Sequence, residues 1–362
     1  MLQGARPALV SRAIERRDPL PGTRGFAGSL PDGRLVRDVL GRVPCFVDRT
    51  DRDAWAFSPT ELADPVSVPA GSVRSGGRDR QVWSLPSPAP YESAADGIDE
   101  IATATRASLA DVPVDGTAIA FSGGVDSAVL ASALDVPLYV AGFPGGHDLE
   151  SARSAASVLD RELVVVELTH EALTRAIPTV ATATNRTNAM DVAIGLPLFL
   201  VAERAASDGH DRLVLGQGAD ELFGGYEKVA QVDHRVAATT VRGAAREVIG
   251  TLPDGLERDV LATRAAGIEP IAPLLDDRLV RVALSLGDDL LVRDGVRKWA
   301  FREAAREYVP DAVAEREKKA LQYGSLTARE LDRLARRAGF KRRMDDHVSA
   351  YVESMVASNR DQ

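Results

Sequence analysis

From residue 96 onward, apolar runs alternate with amphipathic segments, and this pattern predicts a series of strands and helices. An amphipathic helix is expected first, over residues 95–110. The expected strands are residues 117–121, 137–142, 162–168 and 212–216. The expected helices between them are residues 127–134, 148–160, 170–183 and 191–207. Short buried strands alternating with helices are typical of a parallel sheet covered on both faces. The sequence therefore predicts an α/β fold with a doubly wound parallel sheet.

The two ends of the chain have a different texture. Residues 1–90 are rich in Pro, Gly and Arg and contain short β-like runs at 42–48 and 53–57, which predict a small β-rich N-terminal domain. A proline-rich linker at 83–91 marks the boundary, so the predicted domains are residues 1–90 and 91–362. After residue 228 the pattern predicts helices throughout, including residues 327–338 and 345–358 near the C-terminus.

The first predicted strand is followed by Phe121–Ser127, read Phe-Ser-Gly-Gly-Val-Asp-Ser, and then by a helix. Two adjacent glycines let the backbone approach an anion, the serines offer hydroxyls, and the helix presents its positive N-terminal end. The loop contains no lysine and no GxGxxG pattern, which excludes the two commonest nucleotide fingerprints. It predicts a phosphate-binding loop, with a purely structural turn as the alternative.

A second glycine-rich string, Leu215–Tyr226, follows the last predicted strand. It contains four glycines and two adjacent carboxylates, Asp220 and Glu221, which suit a tight nucleotide contact and a magnesium ligand. Ligands of doubly wound sheets bind at the carboxyl ends of the strands. We therefore expect the loops at 121–127, 141–148 and 216–220 to converge on one crevice.

Composition narrows the classes of function. The net charge of −9 argues against a basic surface that binds nucleic acid. The sequence has no apolar stretch long enough to cross a membrane and no signal-like N-terminus, which favours a soluble, cytoplasmic protein. The single cysteine, Cys45, excludes an intrachain disulfide, and the five histidines show no metal spacing. Only five of the 44 basic residues are lysines, so each lysine is a candidate for a specific role.

Both glycine-rich strings resemble those of one family. Phe121–Ser127 resembles the Ser-Gly-Gly-x-Asp-Ser pyrophosphatase loop, and Leu215–Tyr226 resembles Ser-Gly-Glu-Gly-Ala-Asp-Glu-Leu-Phe-Gly-Gly-Tyr of the asparagine synthetase family. Weaker resemblances follow in the family's order over about residues 95–330. They lie at 141–149, 267–276, 295–302 and 316–324.

The resemblance implies a role for each matching residue. ATP and Mg²⁺ are the implied cofactors, and the acceptor is a carboxylate, with aspartate expected. The residues implied in phosphate binding are Ser122, Gly123, Gly124 and Ser127. Those implied near the adenosine are Phe121, Ala141, Leu215 and Gly216. Asp126 and Asp220 would hold magnesium, and Lys298 and Lys318 would neutralise the phosphates, a task that suits compact point charges.

Three departures alter these implications. Gln217 stands where the family has a catalytic glutamate, and an amide cannot act as a base at neutral pH. Ile271 stands where an arginine is usual, so the acceptor pocket is expected to differ, while Leu215 for serine is a milder change. Residues 35–48 and 54–71 resemble the latter half of the family's glutaminase domain, but Leu2 stands where that domain needs its nucleophilic cysteine. We expect Cys45 to be an apolar filler and the N-terminal domain to be an inactive remnant.

Three functions remain open from the sequence. The first is an ATP-dependent, AMP-forming amide ligase that uses ammonia, free or supplied by a separate partner protein. The second is an enzyme that adenylates a different carboxylate, as β-lactam-forming relatives do, or a base or carbonyl, as other pyrophosphatase-loop proteins do. The third is a catalytically weak nucleotide-binding regulator. Partners are expected to be small molecules rather than membranes or nucleic acid, with a homodimer left open.

Overall fold

The structure, a computed structural model, describes residues 1–316, 323–343 and 346–360. The chain forms two compact units, each assembled from three segments. Unit 1 comprises residues 1–112, 216–257 and 272–315, and unit 2 comprises residues 113–215, 258–271 and 316–362. The unit boundaries therefore do not follow the predicted domain boundary near residue 90, and the assignment of residues 1–90 as a separate glutaminase-like domain stays a prediction.

The described strands are short and are numbered in chain order: β1 (Leu2–Gln3), β2 (Ala27–Ser29), β3 (Leu35–Arg37), β4 (Phe46–Asp48), β5 (Trp55–Ala56), β6 (Pro65–Ser67), β7 (Ser72–Ser75), β8 (Arg78–Gln81), β9 (Thr117–Ala120), β10 (Leu138–Gly142), β11 (Leu163–Glu167), β12 (Arg212–Val214), β13 (Glu269–Ile271), β14 (Val292–Arg293) and β15 (Val296–Arg297).

The described α-helices are α1 (Pro7–Arg16), α2 (Ala94–Ala110), α3 (Val125–Ala133), α4 (His147–Val158), α5 (His170–Thr184), α6 (Ala189–Ser207), α7 (Ala219–Leu222), α8 (Glu227–Gln231), α9 (Val241–Gly250), α10 (Leu252–Arg264), α11 (Asp277–Leu284), α12 (Asp288–Leu291), α13 (Trp299–Ala305), α14 (Asp311–Ala314), α15 (Tyr323–Arg337) and α16 (His347–Arg360). Short 3-10 turns lie at Pro59–Glu61 and Pro273–Leu275.

Unit 2 is built on a parallel sheet of five strands. The strand order is β11-β10-β9-β12-β13, and each neighbouring pair runs parallel. Successive strands are added outward on one side of β9 and then, from β12, on its other side. The order therefore reverses between β9 and β12, which is the point where doubly wound sheets bind ligands.

Both faces of this sheet are covered. Ala118, Tyr139 and Ala141 point toward one layer of helices and share a buried cluster with α5 and α6. Side chains alternate along a strand, so their neighbours point the other way. On that second face, Gly142 lies so close to Leu149 of α4 that a β-carbon there would meet the leucine side chain. The predicted doubly wound α/β fold is confirmed.

Unit 1 contains the antiparallel sheets of the N-terminal region. One sheet has the order β1-β2-β3-β7-β8 and another the order β5-β4-β6. Arg42, Asp38 and Asp277 form a charged group within the core of this unit. The Arg42 guanidinium lies 2.8 Å from both carboxylates, and all three side chains are at most 3% exposed. These buried ion pairs attach residues 38–42 to the start of α11, and both segments belong to the core of unit 1.

Most predicted elements are confirmed to within a few residues. The prediction for the C-terminal half is wrong in one respect. Residues after 228 are not helical throughout, because β13 adds a fifth strand and β14 and β15 form a hairpin. β13 has only three residues and contains Pro270, which an edge strand tolerates. The hairpin turn is Asp294–Gly295, with φ of +51° and +80°, and this Asp-Gly pair is a strong hairpin signal.

In the described part of the chain, no helix combines the length and apolar character needed to cross a bilayer.

Candidate functional site

The loop Phe121–Ser127 of unit 2 connects β9 to α3 at the reversal of strand order. Its backbone is held by the hydroxyl of Ser127, which donates to the carbonyl of Gly124 (3.1 Å) and accepts the N–H of Ser122 (3.2 Å). Helix α3 begins at Val125, within this loop, so the positive end of the helix dipole is directed at the loop. This is the local geometry expected of a phosphate-binding loop.

The two glycines of the loop serve different purposes. Gly123 has φ of +75°, and a β-carbon there would lie 2.7 Å from the Cα of Ala152 and 2.8 Å from the carbonyl oxygen of Ser151. Gly124 has an ordinary φ, and its nearest neighbour would be the Ser122 hydroxyl at 3.6 Å. The fold requires glycine at 123, whereas at 124 it leaves space that a ligand can use.

Alanine substitutions are expected to separate these purposes. Gly123→Ala should lower the melting temperature without ATP, because both φ and the close backbone contact oppose a side chain. Gly124→Ala should leave the melting temperature nearly unchanged and weaken ATP binding, because its methyl group would occupy the open side of the loop. Differential scanning fluorimetry and calorimetric ATP titration measure the two effects. Equal loss of stability in both variants would contradict this division.

The residues implied near the adenosine lie at the ends of neighbouring strands. Phe121, Ala141 and Leu215 are all at most 3% exposed. The N–H of Phe121 donates to the carbonyl of Tyr139 (2.7 Å), and the N–H of Leu215 donates to the carbonyl of Ile271 (2.8 Å). Because the side chains of these three residues are buried in the core, any contact with a nucleotide would be made largely by their backbone atoms. Gly216 is half-buried and begins the next segment of unit 1.

The segment that carries the predicted Arg-x-Lys loop begins at Arg316, which docks on α4 in unit 2. Its guanidinium donates to the carbonyl of Ser151 (2.9 Å) and to the hydroxyl of Ser154 (3.0 Å). The same Ser151 carbonyl borders Gly123 of the phosphate loop. Lys318, the predicted catalytic lysine two residues later, lies outside the described residues.

In unit 1 the structure brings together two of the predicted residues, Asp220 and Lys298. The Lys298 ammonium lies 2.9 Å from Oδ1 of Asp220, and the two side chains are 4% and 16% exposed. Asp220 belongs to the short helix α7, and Gly225 packs against it so tightly that a β-carbon at 225 would collide with the carboxylate. The ion pair is thus a defined, largely desolvated group.

Lys298 is positioned by an unusual backbone. It follows the β14–β15 hairpin and adopts φ of +56°, a left-handed conformation that L residues other than Asn and Asp rarely take. Its carbonyl accepts the N–H of Arg302 (2.9 Å), and the Arg302 guanidinium donates to the carbonyls of Arg297 (2.8 Å) and Ala314 (2.6 Å). Such strain persists only where the surroundings determine it, and it is typical of functional sites.

Two further contacts involve the second glycine-rich string, and the sequence analysis did not predict them. The Tyr226 hydroxyl donates to Oε1 of Glu221 (2.5 Å), and the Arg297 guanidinium donates to the carbonyl of Gly225 (3.0 Å). Glu221 and Tyr226 belong to the second glycine-rich string, and Arg297 directly precedes Lys298. The contact of Arg297 with Gly225 fixes the position of the β14–β15 hairpin relative to the second glycine-rich string.

The predicted magnesium ligands fit the chemistry of that ion. Asp126 lies in the first turn of α3 and is 8% exposed, and Asp220 is held as described. In the residues that the structure describes, no group of three or more His, Cys, Asp or Glu side chains could hold a metal alone. Mg²⁺ commonly uses one or two carboxylates together with substrate phosphates, so the carboxylate of either aspartate suits it as a ligand. Because Lys298 contacts Asp220, a cation at Asp220 would compete with the lysine.

The remaining predicted positions are also described. Gln217 is half-buried at the start of the second string, and Ile271 ends β13 and is half-buried. Cys45 is fully buried in a small apolar cluster, and burial raises the pKa of its thiol to about 12. A thiol in that state is inert as a nucleophile at neutral pH, as expected for an apolar filler.

Comparison with known proteins identifies relatives. Residues 99–247 and 233–355 match the sequence family described as Asparagine synthase. A Methanocaldococcus jannaschii protein assigned as glutamine-hydrolyzing asparagine synthetase 1 is 29% identical over 67% of this chain and 52% of its own length. Asparagine synthetase B of Escherichia coli is 24% identical over 85% of this chain and 62% of its own length.

The chain thus spans about half the length of the curated relatives it matches. Among solved structures, an NMN synthetase from Francisella tularensis is similar over 74% of this chain and 94% of its own, with 13% identity and a TM-score of 0.32. That likeness is too low to bear on function.

Proposed function

The chain belongs to the asparagine synthase family, and from this membership we propose that it is an ATP-dependent ligase that forms amides and releases AMP and pyrophosphate. The observation that supports the proposal most strongly is the phosphate loop at the reversal of strand order. Close packing against α4 leaves no space for a side chain at Gly123, whereas Gly124 leaves room for a ligand. A loop of this kind suits the binding of the ATP phosphates.

In the proposed reaction, a carboxylate oxygen of the acceptor attacks the α-phosphorus of ATP, and pyrophosphate leaves. Ammonia then attacks the acyl carbon, loses a proton, and AMP departs with the oxygen that came from the carboxylate. Adenylation is needed because the oxygen of a free carboxylate is a poor leaving group, whereas AMP is a good one. Aspartate is the proposed acceptor.

Each residue has a part in this scheme. Ser122, Ser127 and the backbone of Gly123 and Gly124 would bind the phosphates, and Lys298 and Lys318 would neutralise negative charge on them as the α,β bond breaks. Asp126 and Asp220 would hold Mg²⁺, which supplies charge neutralisation on the pyrophosphate. Gln217 cannot take the proton that ammonia loses, so it would orient the nucleophile by hydrogen bonding.

Ammonia is the proposed nitrogen donor. The only cysteine in this sequence is Cys45, and its burial and raised pKa leave it unable to attack glutamine. We expect ammonium to support AMP formation and glutamine to yield no glutamate when the purified protein is assayed by chromatography. Glutamate release above the rate of a Cys45→Ser control would contradict this assignment.

The second candidate is an enzyme of the same chemistry that acts on another carboxylate. Gln217 and Ile271 favour it, because two charged groups of the family's acceptor site are replaced by neutral ones. Pyrophosphate release measured with aspartate and with a panel of other carboxylic acids tests the two candidates. Release with aspartate supports the first, and release only with another acid supports the second.

A further inference from the structure

Unit 1 contains a cavity whose wall residues are not among those assigned above. It has a volume of about 210 Å³ and lies between α9, α11 and the proline-rich segment near Ser87. Its walls include Ser87, Thr240, Arg242 and Arg246, with Leu284 and Leu291 on the apolar side. All of these residues belong to unit 1.

Arg242 and Arg246 lie one helical turn apart and hold the proline-rich segment. Arg246 donates to the carbonyls of Leu85 and Pro86, the latter at 2.6 Å. Nη2 of Arg242 donates to the carbonyl of Leu284 (2.9 Å) and to that of Pro88. The carbonyls that these arginines bind flank Ser87 on both sides, and Ser87 itself is exposed.

These two arginines differ from most arginines of the chain in their charge balance. Arg258 and Arg278 each contact two carboxylates, whereas within the described ranges neither Arg242 nor Arg246 has a carboxylate oxygen within 4 Å of its guanidinium. The carboxylate of Asp288 accepts the backbone N–H of Arg242 (2.7 Å) and not its guanidinium. Two positive charges therefore line one cavity without an acidic partner.

The arginines also keep hydrogen-bonding capacity. A guanidinium has five N–H groups, and the carbonyls use only two on each side chain. The Ser87 hydroxyl adds another donor at the same cavity. Planar guanidinium groups with spare donors match the oxygens of phosphate in both charge and geometry.

We propose that this cavity is a binding site for a small oxyanion of the phosphate class. Arg242 and Arg246 supply the positive charge, and Ser87 supplies a hydroxyl donor. Because the same arginines hold residues 85–88, a bound anion would tighten the attachment of that segment to α9. The site is independent of the ligase activity proposed above.

The test uses inorganic phosphate and a pair of matched substitutions at exposed Ser87. Ser87→Asp places a carboxylate between the arginines, and Ser87→Asn adds a neutral side chain of the same size. Melting temperature is measured against phosphate at constant ionic strength, with chloride as the reference anion. We expect a saturable rise in the wild type and in Ser87→Asn. In Ser87→Asp we expect a higher starting melting temperature and at least tenfold weaker dependence on phosphate.

The phosphate loop of unit 2 is a second place where phosphate could bind, and the comparison at Ser87 separates the two. An equal response to phosphate in Ser87→Asp, Ser87→Asn and wild type would overturn the proposal, as would no phosphate-specific response in the wild type. Arg246→Gln should reduce the response as Ser87→Asp does, and the exposed Arg175→Gln should leave it unchanged.

Discussion

Replacing Lys298 with methionine is expected to lower the rate of AMP formation by about 10²- to 10³-fold, the loss typical of removing one preorganised electrostatic donor. Methionine keeps the length of the side chain and removes its charge. The substitution keeps the carbonyl of residue 298 that accepts the Arg302 N–H, and the melting temperature is measured beside activity because a largely buried carboxylate loses a cationic partner. Lys341→Met, which removes an exposed lysine, serves as the control and should retain full activity.

The same substitution is expected to change metal binding in the opposite direction. Lys298 contacts Oδ1 of Asp220 at 2.9 Å, so removing the lysine removes a positive charge that competes with a divalent cation for this carboxylate. Mn²⁺ titrated into Lys298→Met in the presence of a non-hydrolysable ATP analogue should bind about tenfold more tightly than in the wild type. Asp220→Asn should bind it more weakly. Unchanged affinity in both variants would remove Asp220 from the metal site.

Replacing Arg42 with methionine is expected to cost about 3–5 kcal/mol of unfolding free energy, because two buried carboxylates lose their shared cation. Asp38 and Asp277 are both 0% exposed and lie 2.8 Å from the guanidinium. Urea unfolding at neutral pH measures the loss. Arg175→Met, which removes one side of an exposed ion pair with Glu203, should cost less than about 1 kcal/mol.

The pH dependence of the Arg42 variant provides a second readout. Burial raises the pKa of Asp277 in the folded protein, and Arg42 opposes that rise. Without Arg42 the pKa of Asp277 should rise further above its unfolded value of about 4. A carboxyl with a raised folded-state pKa stabilises the folded state as the pH falls through that pKa. The deficit of Arg42→Met should therefore shrink on acidification from pH 8, and a deficit that grows would contradict the assignment.

Hydrophobic periodicity predicted four of the five strands of the unit 2 sheet, because each is an apolar run between helices whose own patterns are long and local. It missed β13, since three residues that include Pro270 carry almost no periodic signal and pair with a strand distant in sequence. The β14–β15 hairpin was also missed, although Asp294–Gly295 is a recognisable turn signal.

For the candidate site, sequence motifs predicted which residues take part but not which of them contact one another. The strings at 121–127 and 215–226 named Gly123, Asp126 and Asp220 directly. The contact between Asp220 and Lys298, the left-handed backbone of Lys298 and the anchoring of Arg316 on α4 are long-range packing results. No local pattern could have indicated them. The buried ion pair between Arg42 and Asp277 is another long-range contact that no local pattern indicates.

The central claim is that the protein cleaves ATP between the α and β phosphates by attack of a carboxylate. The most direct measurement supplies aspartate labelled with ¹⁸O in its side-chain carboxylate, together with ATP, Mg²⁺ and ammonium, and analyses the nucleotide product by mass spectrometry. Attack by the carboxylate predicts AMP that carries one ¹⁸O atom, formed in equal amount with asparagine. Formation of ADP, or of AMP without the label, would contradict the mechanism.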